Sequence, residues 1–443
     1  MSEGTAATVD ETELVVQHEV VAHPPRRRQW FTGAAILVIG LFTLLGFGLG
    51  ADSGDAVFKL SGSGDSISIP LVRIAGGPGA IVCGIVICLL GIWQVVRGFS
   101  RSAMRWVTVA VSVLFVLGFF LWAGTGSVGK IDVEGMLGGA LIFAVPIILG
   151  TMSGVMCERS GVINIAIEGK MLVGAFAGAL VASLANNLGA GIIAAVLAGG
   201  LFGALLAVFA IEFLVNQVVL GVVINLLVLG LTGYLYQAFM ADNGTRYNNI
   251  GGTANLTMQN HAIPGLRDIP IVGAVLFDTN WIVYGMYVVV IVISVALFRT
   301  RWGLRTRAVG EHPRAAATVG IRVRWTRYRN VILGGMIAGL GGAFFTLGSG
   351  IAFQQNAAGM TSGKGYIALA ALIFGRWQPV RALGAALLFG FTLEMQPLFS
   401  NNTPLNIPSF FWLSLPYLVT ILAVAGLVGK VTAPAADGEP YTG

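Results

Sequence analysis

The sequence predicts an all-α protein that crosses a membrane many times. Apolar residues make up 56% of the 443 residues and charged residues only 10%, whereas soluble domains carry about 25% charged residues. The 62 glycines fit the same class, because glycine is frequent in transmembrane helices. So few charges would not cover the surface of a soluble fold, and this composition also excludes a disordered chain.

Apolar runs of the length that a bilayer requires recur along the chain. A hydrocarbon core about 30 Å thick needs about 20 apolar residues per helix. The candidate spans lie near 30–50, 74–96, 106–123, 136–156, 162–185, 190–213, 218–240, 281–298, 330–350, 363–378, 381–399 and 411–428. The run at 363–378 is short enough to be re-entrant or buried by its neighbours. We therefore expect 10–12 transmembrane helices.

The basic residues predict the orientation of these helices. If the first residues are cytoplasmic, 19 Lys and Arg fall in the inner loops and 5 in the outer loops, as the positive-inside rule requires. We expect a multi-pass membrane protein with both termini in the cytoplasm. The net charge of +6 is then a topology signal, and we expect the lipid bilayer and no nucleic acid as a partner.

The chain divides by composition into four parts. Residues 1–29 are polar and acidic up to a run of three arginines and lack the features of a signal peptide, which predicts a disordered cytoplasmic tail. Residues 30–134 are expected to form an extension with about three spans. Residues 135–430 would form the main transmembrane domain, and 431–443 a second cytoplasmic tail.

Glycines spaced four residues apart predict close helix packing. Such spacing lets two helix backbones approach each other. The pairs are Gly150 and Gly154, Gly199 and Gly203, and Gly335 and Gly339. They indicate a packed bundle without specifying its function.

The sequence lacks the residues of a catalytic or metal centre. All four histidines lie outside the predicted spans, and neither a His-Glu-x-x-His motif nor a Gly-x-Ser-x-Gly motif occurs. We expect no enzyme activity, no cofactor and no metal. Ion-driven carriers normally show more buried carboxylates than this chain, so the energy source is expected in another subunit.

The basic segment 299–329 holds nine of the 26 Lys and Arg residues. Gly310 is expected to interrupt the preceding structure, Pro313 suits the first turn of a short helix over 314–319, and Gly320 is expected to end it. This alanine-rich helix would dock into a groove of another protein, or the segment is a solvated loop that only fixes topology. The residues assigned to the docking helix are Glu311, Pro313, Arg314, Ala315, Ala316 and Gly320.

The segment 152–176 places polar residues at membrane depth. Asn164 and Glu168 are four residues apart and would share a helix face, and local unwinding is plausible at Gly169. Intramembrane carboxylates commonly mark a pathway, which favours a role for Glu168 in a translocation pathway or gate. The alternative is a polar lock between helices, such as Glu168 paired with Arg159.

Four stretches resemble one family of permeases. The pattern Arg-Ala-Ala-x-x-x-Gly at 314–320 resembles the coupling segment of ABC importer permeases, with Arg in place of Glu. The stretches 152–176, 216–233 and 363–379 are similar to signatures of the branched-chain amino acid, sugar and nucleoside permease group, specifically its nucleoside-type subunit. Within 152–176 the chain departs from that signature at Cys157, Ala166 and Lys170.

The resemblance implies a type II ABC importer-like helical bundle over 135–430, located in the bacterial plasma membrane. It further implies an ABC ATPase subunit that binds the 311–320 helix, a second and different permease subunit, and an extracellular substrate-binding lipoprotein. Nucleosides are the expected solute, with simple sugars or branched-chain amino acids, or an ion-coupled secondary transporter using Glu168, as alternatives. The candidate pathway or gate residues are Asn164, Glu168, Gln217 and Asn225. For Gln217 and Asn225 we favour hydrogen bonds between helices.

Overall fold

The computed structural model describes residues 26–62, 67–126, 130–251, 256–355, 359–400, 414–415, 417–418 and 432–443. The α-helices of this part are α1 (Arg26–Phe42), α2 (Gly76–Val96), α3 (Arg101–Gly126), α4 (Val133–Glu158), α5 (Ile167–Ala185), α6 (Leu188–Ile211), α7 (Gln217–Leu235), α8 (Gly244–Tyr247), α9 (Val272–Phe277), α10 (Trp281–Arg299), α11 (Arg301–Glu311), α12 (Pro313–Thr318), α13 (Val323–Ala343), α14 (Lys364–Phe374) and α15 (Pro379–Ser400). Three π-helical segments, Thr43–Gly48, Tyr236–Met240 and Phe344–Gly348, continue α1, α7 and α13.

Short strands also occur in the connecting segments, although the sequence predicted an all-α fold. They are β1 (Asp55–Lys59), β2 (Val72–Ala75), β3 (Lys130–Asp132), β4 (His261–Ala262) and β5 (Asp278–Thr279). The first three form a sheet in the order β2-β1-β3. Strands β4 and β5 pair antiparallel, with His261 opposite Thr279.

Within the described ranges, ten helices are long and apolar enough to cross a membrane, which confirms ten of the predicted spans. The run at 363–378 forms the shorter helix α14, which packs against α4, α5 and α15. The run at 411–428 lies outside the described residues except for 414–415 and 417–418. Helix α1 begins at Arg26, inside the tail predicted over 1–29, and residues 1–25 lie outside the described part.

Several spanning helices begin at a capping side chain. Asn187, Asn216 and Asn280 accept hydrogen bonds from the first backbone amides of α6, α7 and α10, and Asp132 does the same for α4. Such caps satisfy N–H groups that have no partner within the helix. The polar residues between the apolar runs therefore fix where these helices start.

The chain divides into two compact units. The first comprises the described residues within 1–57 and 73–131, and in it α1 packs on α2 and α2 on α3. Glycines permit this packing, since a Cβ atom on Gly40 would lie 2.7 Å from Cys88 Sγ and one on Gly84 would lie 2.7 Å from Leu44 Cα.

The second unit comprises the described residues within 58–72 and 132–443. Helix α4 lies at its centre, because every residue from Ala144 to Glu158 is buried. Helices α5, α10, α13, α14 and α15 pack against it, and α6 packs in turn against α5 and α13. Helix α7 adds further residues to the same core. This unit contains all the candidate site residues.

The predicted glycine pairs lie at helix crossings of the second unit. A Cβ atom on Gly199 would collide with the carbonyl oxygen of Gly335, and one on Gly203 would lie 3.1 Å from Gly335 Cα, so α6 and α13 touch through their backbones. Gly150 and Gly154 face Ala368 and Leu372 of α14. The prediction of close packing at these glycines is confirmed.

Candidate functional site

The basic segment is helical over most of its length. Gly310 was expected to interrupt the chain, but it lies inside α11. A Cβ atom there would collide with the carbonyl oxygen of Arg159, so this glycine permits a close backbone contact. The break comes instead at His312, whose φ of −140° and ψ of 79° are not helical, because the residue before a proline is restricted to extended conformations.

Helix α12 begins at Pro313 and ends at Thr318, one residue earlier at both ends than predicted. Gly320 follows it with a φ of +81°, which confirms the glycine stop. Arg314 and Ala315 are exposed, but Ala316 is only 3% exposed and packs against Val309 and Val323. Of the two alanines assigned to the docking helix, Ala315 is therefore open to a partner, whereas Ala316 anchors the helix to its neighbours.

Glu311 lies at the end of α11 and not in the first turn of α12. Its Oε1 is 3.8 Å from Arg159 Nη1, and its Oε2 accepts a hydrogen bond from the backbone N–H of Ala435. The carboxylate therefore connects α11 to the loop after α4 and to residues near 435.

The loop 159–166 separates α4 from α5, and it is here that the chain unwinds. Gly161 has a φ of +84°. Gly169, the predicted site of unwinding, lies in the first turn of α5, and its N–H donates to Asn225 Oδ1 at 2.8 Å. Arg159 donates to the carbonyl oxygens of Trp377 and Arg376 at 2.9 and 3.4 Å, so the alternative pairing of Arg159 with Glu168 was wrong.

Glu168 binds the N-terminal end of α14. The side chain is buried, and Oε1 accepts hydrogen bonds from Thr361 Oγ1 at 2.6 Å and from Gly363 N at 2.7 Å. Oε2 accepts from Gly365 N at 2.6 Å. A carboxylate at a helix N-terminus is stabilised by the unpaired amides and by the helix dipole. Glu168 thus ties α5 to the short helix.

Asn164 and Lys170 form a second buried polar cluster. Lys170 is fully buried, and its Nζ donates to Asn164 Oδ1 at 2.6 Å. Asn164 Nδ2 donates in turn to Ser153 Oγ of α4 at 3.1 Å. Asn164 precedes α5, so the expected helix face shared with Glu168 was wrong. Lys170, where the chain departs from the permease signature, therefore brings its amino group to the side-chain amide of Asn164.

Gln217 and Asn225 of α7 bind the non-helical loop before α5. Gln217 Oε1 accepts from Ile163 N at 2.7 Å. Asn225 Nδ2 donates to the carbonyl oxygen of Ile165 at 3.0 Å and to the Tyr366 hydroxyl at 3.2 Å. Asn225 thus joins α7 to α14 and, through Gly169, to α5, as the bonds between helices favoured by the sequence predict. The Gln217 bond instead joins α7 to the loop.

Sequence reasoning missed the partners of Glu158. Its carboxylate accepts from the indole N–H of Trp377 and, at 3.4 Å, from Asn164 N. Trp377 follows Arg376, and both have a left-handed φ, of 54° and 53°, which is uncommon for bulky residues. The charged break after α4 was visible in the sequence, but no local pattern pointed to residue 377.

Among the described residues, no group of three or more His, Cys, Asp or Glu side chains is placed to hold a metal ion. The polar groups of the site bind one another and the backbone. The arrangement therefore connects helix ends across the bundle, and its chemistry is that of hydrogen bonds and ion pairs.

Comparison with known proteins gives a family match over most of the second unit. The family model described as branched-chain amino acid transport system / permease component matches residues 136–425. No solved structure matches the chain.

Relatives extend over about two thirds of the chain. The guanosine ABC transporter permease protein NupQ of Bacillus subtilis is 41% identical over 315 residues, 68% of this chain and 94% of that protein. The nucleoside ABC transporter permease protein NupC of Lactococcus lactis is 34% identical over the same shares of both chains. A putative glucose ABC transporter permease protein of Haloferax volcanii is 35% identical over 59% of this chain and 77% of its own length.

Proposed function

Because this chain belongs to the branched-chain amino acid transport system / permease component family, we propose that it is a transmembrane permease subunit of an ATP-driven nucleoside importer. The observation that carries the proposal is the 41% identity to a guanosine permease over 94% of that protein's length. The match to a putative glucose permease covers less of both chains, so sugars are the second candidate solute. ATP hydrolysis would reside in a partner subunit.

The coupling helix in this proposal is α12. It is short, its Arg314 and Ala315 are exposed, and Ala316 fixes it to α11 and α13. An ATPase that closes on ATP would move α12 as a unit, because the helix is anchored on one side and open on the other. This proposal places α12 and both termini on the cytoplasmic side.

The polar cluster around loop 159–166 would act as the gate. Asn164, Gln217 and Asn225 hold this loop, and Glu168 holds α14. We therefore assign them to positioning the gate, since their polar atoms bind protein groups rather than a cavity. A second, different permease subunit would complete the pathway, and a lipoprotein outside the membrane would deliver the solute.

Transport assays on the purified complex test this function. The permease, its ATPase and its second permease are placed in liposomes and supplied with binding protein and uridine, guanosine, ribose or leucine. We expect uptake of the nucleosides that requires ATP. Uptake of ribose or leucine without uptake of either nucleoside would overturn the nucleoside assignment. Uptake down an ion gradient by the permease without its partners would overturn the ATP-driven mechanism.

Replacing Gly320 by valine is expected to uncouple the complex. Its φ of +81° is accessible to glycine but strained for a β-branched residue, and such strain costs about 1–3 kcal/mol. No atom lies within 4 Å of a Cβ there, so the effect would come from the backbone at the exit of α12. We expect import per ATP to fall about tenfold, which corresponds to about 1.4 kcal/mol, while ATP hydrolysis continues.

Gly320→Asn is the matched control, because asparagine tolerates the left-handed region far better than valine. Its import per ATP should stay close to that of the wild type. Equal transport by the valine and asparagine variants would contradict the assignment of Gly320 to coupling.

A further inference from the structure

Residues 434–443, here called the 434–443 segment, pack against the end of α11, directly before α12. The N–H of Ala436 donates to the carbonyl oxygen of Gly310 at 2.9 Å, and the N–H of Ala435 donates to Glu311 Oε2 at 3.1 Å. Ala436 is only 2% exposed. The segment therefore contacts the last turn of α11, directly before α12.

A tight turn gives the segment a defined shape. Asp437 N donates to the carbonyl oxygen of Pro434 at 3.0 Å, and Glu439 N donates to that of Ala436 at 3.2 Å. Gly438 has a φ of +81°, and a Cβ atom there would lie 2.6 Å from Ile163 Cδ1. The turn thus packs on loop 159–166, at the residue whose N–H bonds to Gln217.

Buried charges attach the turn to α4 and α13. Arg327 of α13 is 2% exposed, and its Nη1 donates to the carbonyl oxygen of Glu439 at 2.8 Å. The Asp437 carboxyl group lies near Arg327 and near Glu158 at the end of α4. Burial and the neighbouring Glu158 raise the pKa of Asp437.

The far end of the segment lies under α12. Tyr441 packs against the cluster of Val309, Ala316 and Val323 that anchors this helix. The segment and the start of α12 line a shared cleft of about 600 Å³, with Pro313 and Arg314 on one side and Pro440 and Thr442 on the other. One short segment therefore contacts the coupling helix, the loop before α5 and the ends of α4 and α13.

We propose that the 434–443 segment is a brace that transmits movement of α12 to the ends of α4 and α13 and to the gate loop 159–166. Through α12, this inference rests on the proposed function. Without the segment, α12 is joined to the bundle by its own packing and by the chain on either side of it. When the segment is present, a displacement of α12 at Pro313 and Ala316 also displaces Arg327 and Glu158.

The experiment compares two disrupted variants with one matched control in the full complex. The disrupted variants are a deletion of residues 434–443 and Tyr441→Ala, and the control is Thr432→Ala, an exposed residue just before the segment. ATP hydrolysis and nucleoside import are measured in the same liposomes. A coupling free energy of ordinary size predicts a change of about tenfold, so import per ATP should fall by about that factor in both variants and stay unchanged in the control.

The outcomes separate the brace from the proposed function. If wild-type complex imports nucleosides and both variants keep wild-type import per ATP, the brace is wrong and the proposed function stands. If the deletion lowers the amount of permease in the membrane, Tyr441→Ala decides, because it removes one contact and leaves the turn. If the wild-type complex imports no nucleoside, the proposed function fails; the brace is then judged from ATP hydrolysis stimulated by the binding protein, which must fall in Tyr441→Ala and not in Thr432→Ala.

Discussion

Replacing Glu168 by alanine is expected to abolish uptake and to destabilise the permease by about 3 kcal/mol or more, since each buried donor left without a partner costs about 1–3 kcal/mol. Three donors converge on this carboxylate: the Thr361 hydroxyl and the N–H groups of Gly363 and Gly365. Alanine offers none of them an acceptor. The start of α14 would then separate from α5, and the gate would lose its fixed position.

The measurement pairs thermal unfolding of the purified permease in detergent with uptake in liposomes. Glu168→Gln serves as an intermediate, because its amide keeps one acceptor oxygen but turns an N–H₂ group toward the remaining donors. We expect its stability to fall between those of the wild type and Glu168→Ala. Wild-type uptake by Glu168→Ala would contradict the assignment of Glu168 to the gate.

Glu212→Ala is the control for loss of a carboxylate. Glu212 pairs with Arg324 at 3.3 Å, and both side chains are about half exposed. Exposed ion pairs contribute at most about 1 kcal/mol. The unfolding temperature of this variant should therefore be close to that of the wild type. That result would show that Glu168 matters through its burial and its three donors and not through its charge alone.

The sequence predicted the spans well because their signal is local. A bilayer-length apolar run is visible within about 20 residues, and the caps at Asn187, Asn216 and Asn280 lie at the ends of such runs. Both ends of α12 were predicted to within one residue, since Pro313 and Gly320 act on their own backbone. The short strands escaped prediction because they have few residues and depend on distant pairing.

The site was predicted less completely because its contacts join distant parts of the chain. Glu168 was identified from its depth in the membrane, but its partners are 193 to 197 residues away, and no periodicity relates them. Gly310 was predicted to break a helix, whereas its lack of a side chain allows close contact with the backbone of Arg159. The 434–443 segment carries turn residues, yet its position on α11 and α13 follows from tertiary contacts alone.

Replacing Gly339 by alanine is expected to have the second large effect, because this residue lies where α5, α6 and α13 cross. A Cβ atom there would collide with the carbonyl oxygen of Ala195 and lie 3.1 Å from Gly199 Cα. On the α5 side, a Cβ atom on Gly174 would lie 2.5 Å from the Gly339 carbonyl oxygen. Both neighbours are backbone, so neither can rotate away.

The expected loss of stability for Gly339→Ala is about 3 kcal/mol, the upper part of the range for overpacking. The higher helix propensity of alanine offsets at most about 1 kcal/mol of this. The control is Gly285→Ala in α10, where no atom lies within 4 Å of the new methyl group, and its stability should equal or slightly exceed that of the wild type. Thermal unfolding of both variants in the same detergent measures the difference. If Gly339→Ala unfolded at the temperature of Gly285→Ala, α6 and α13 would not be held together by backbone contact at this crossing.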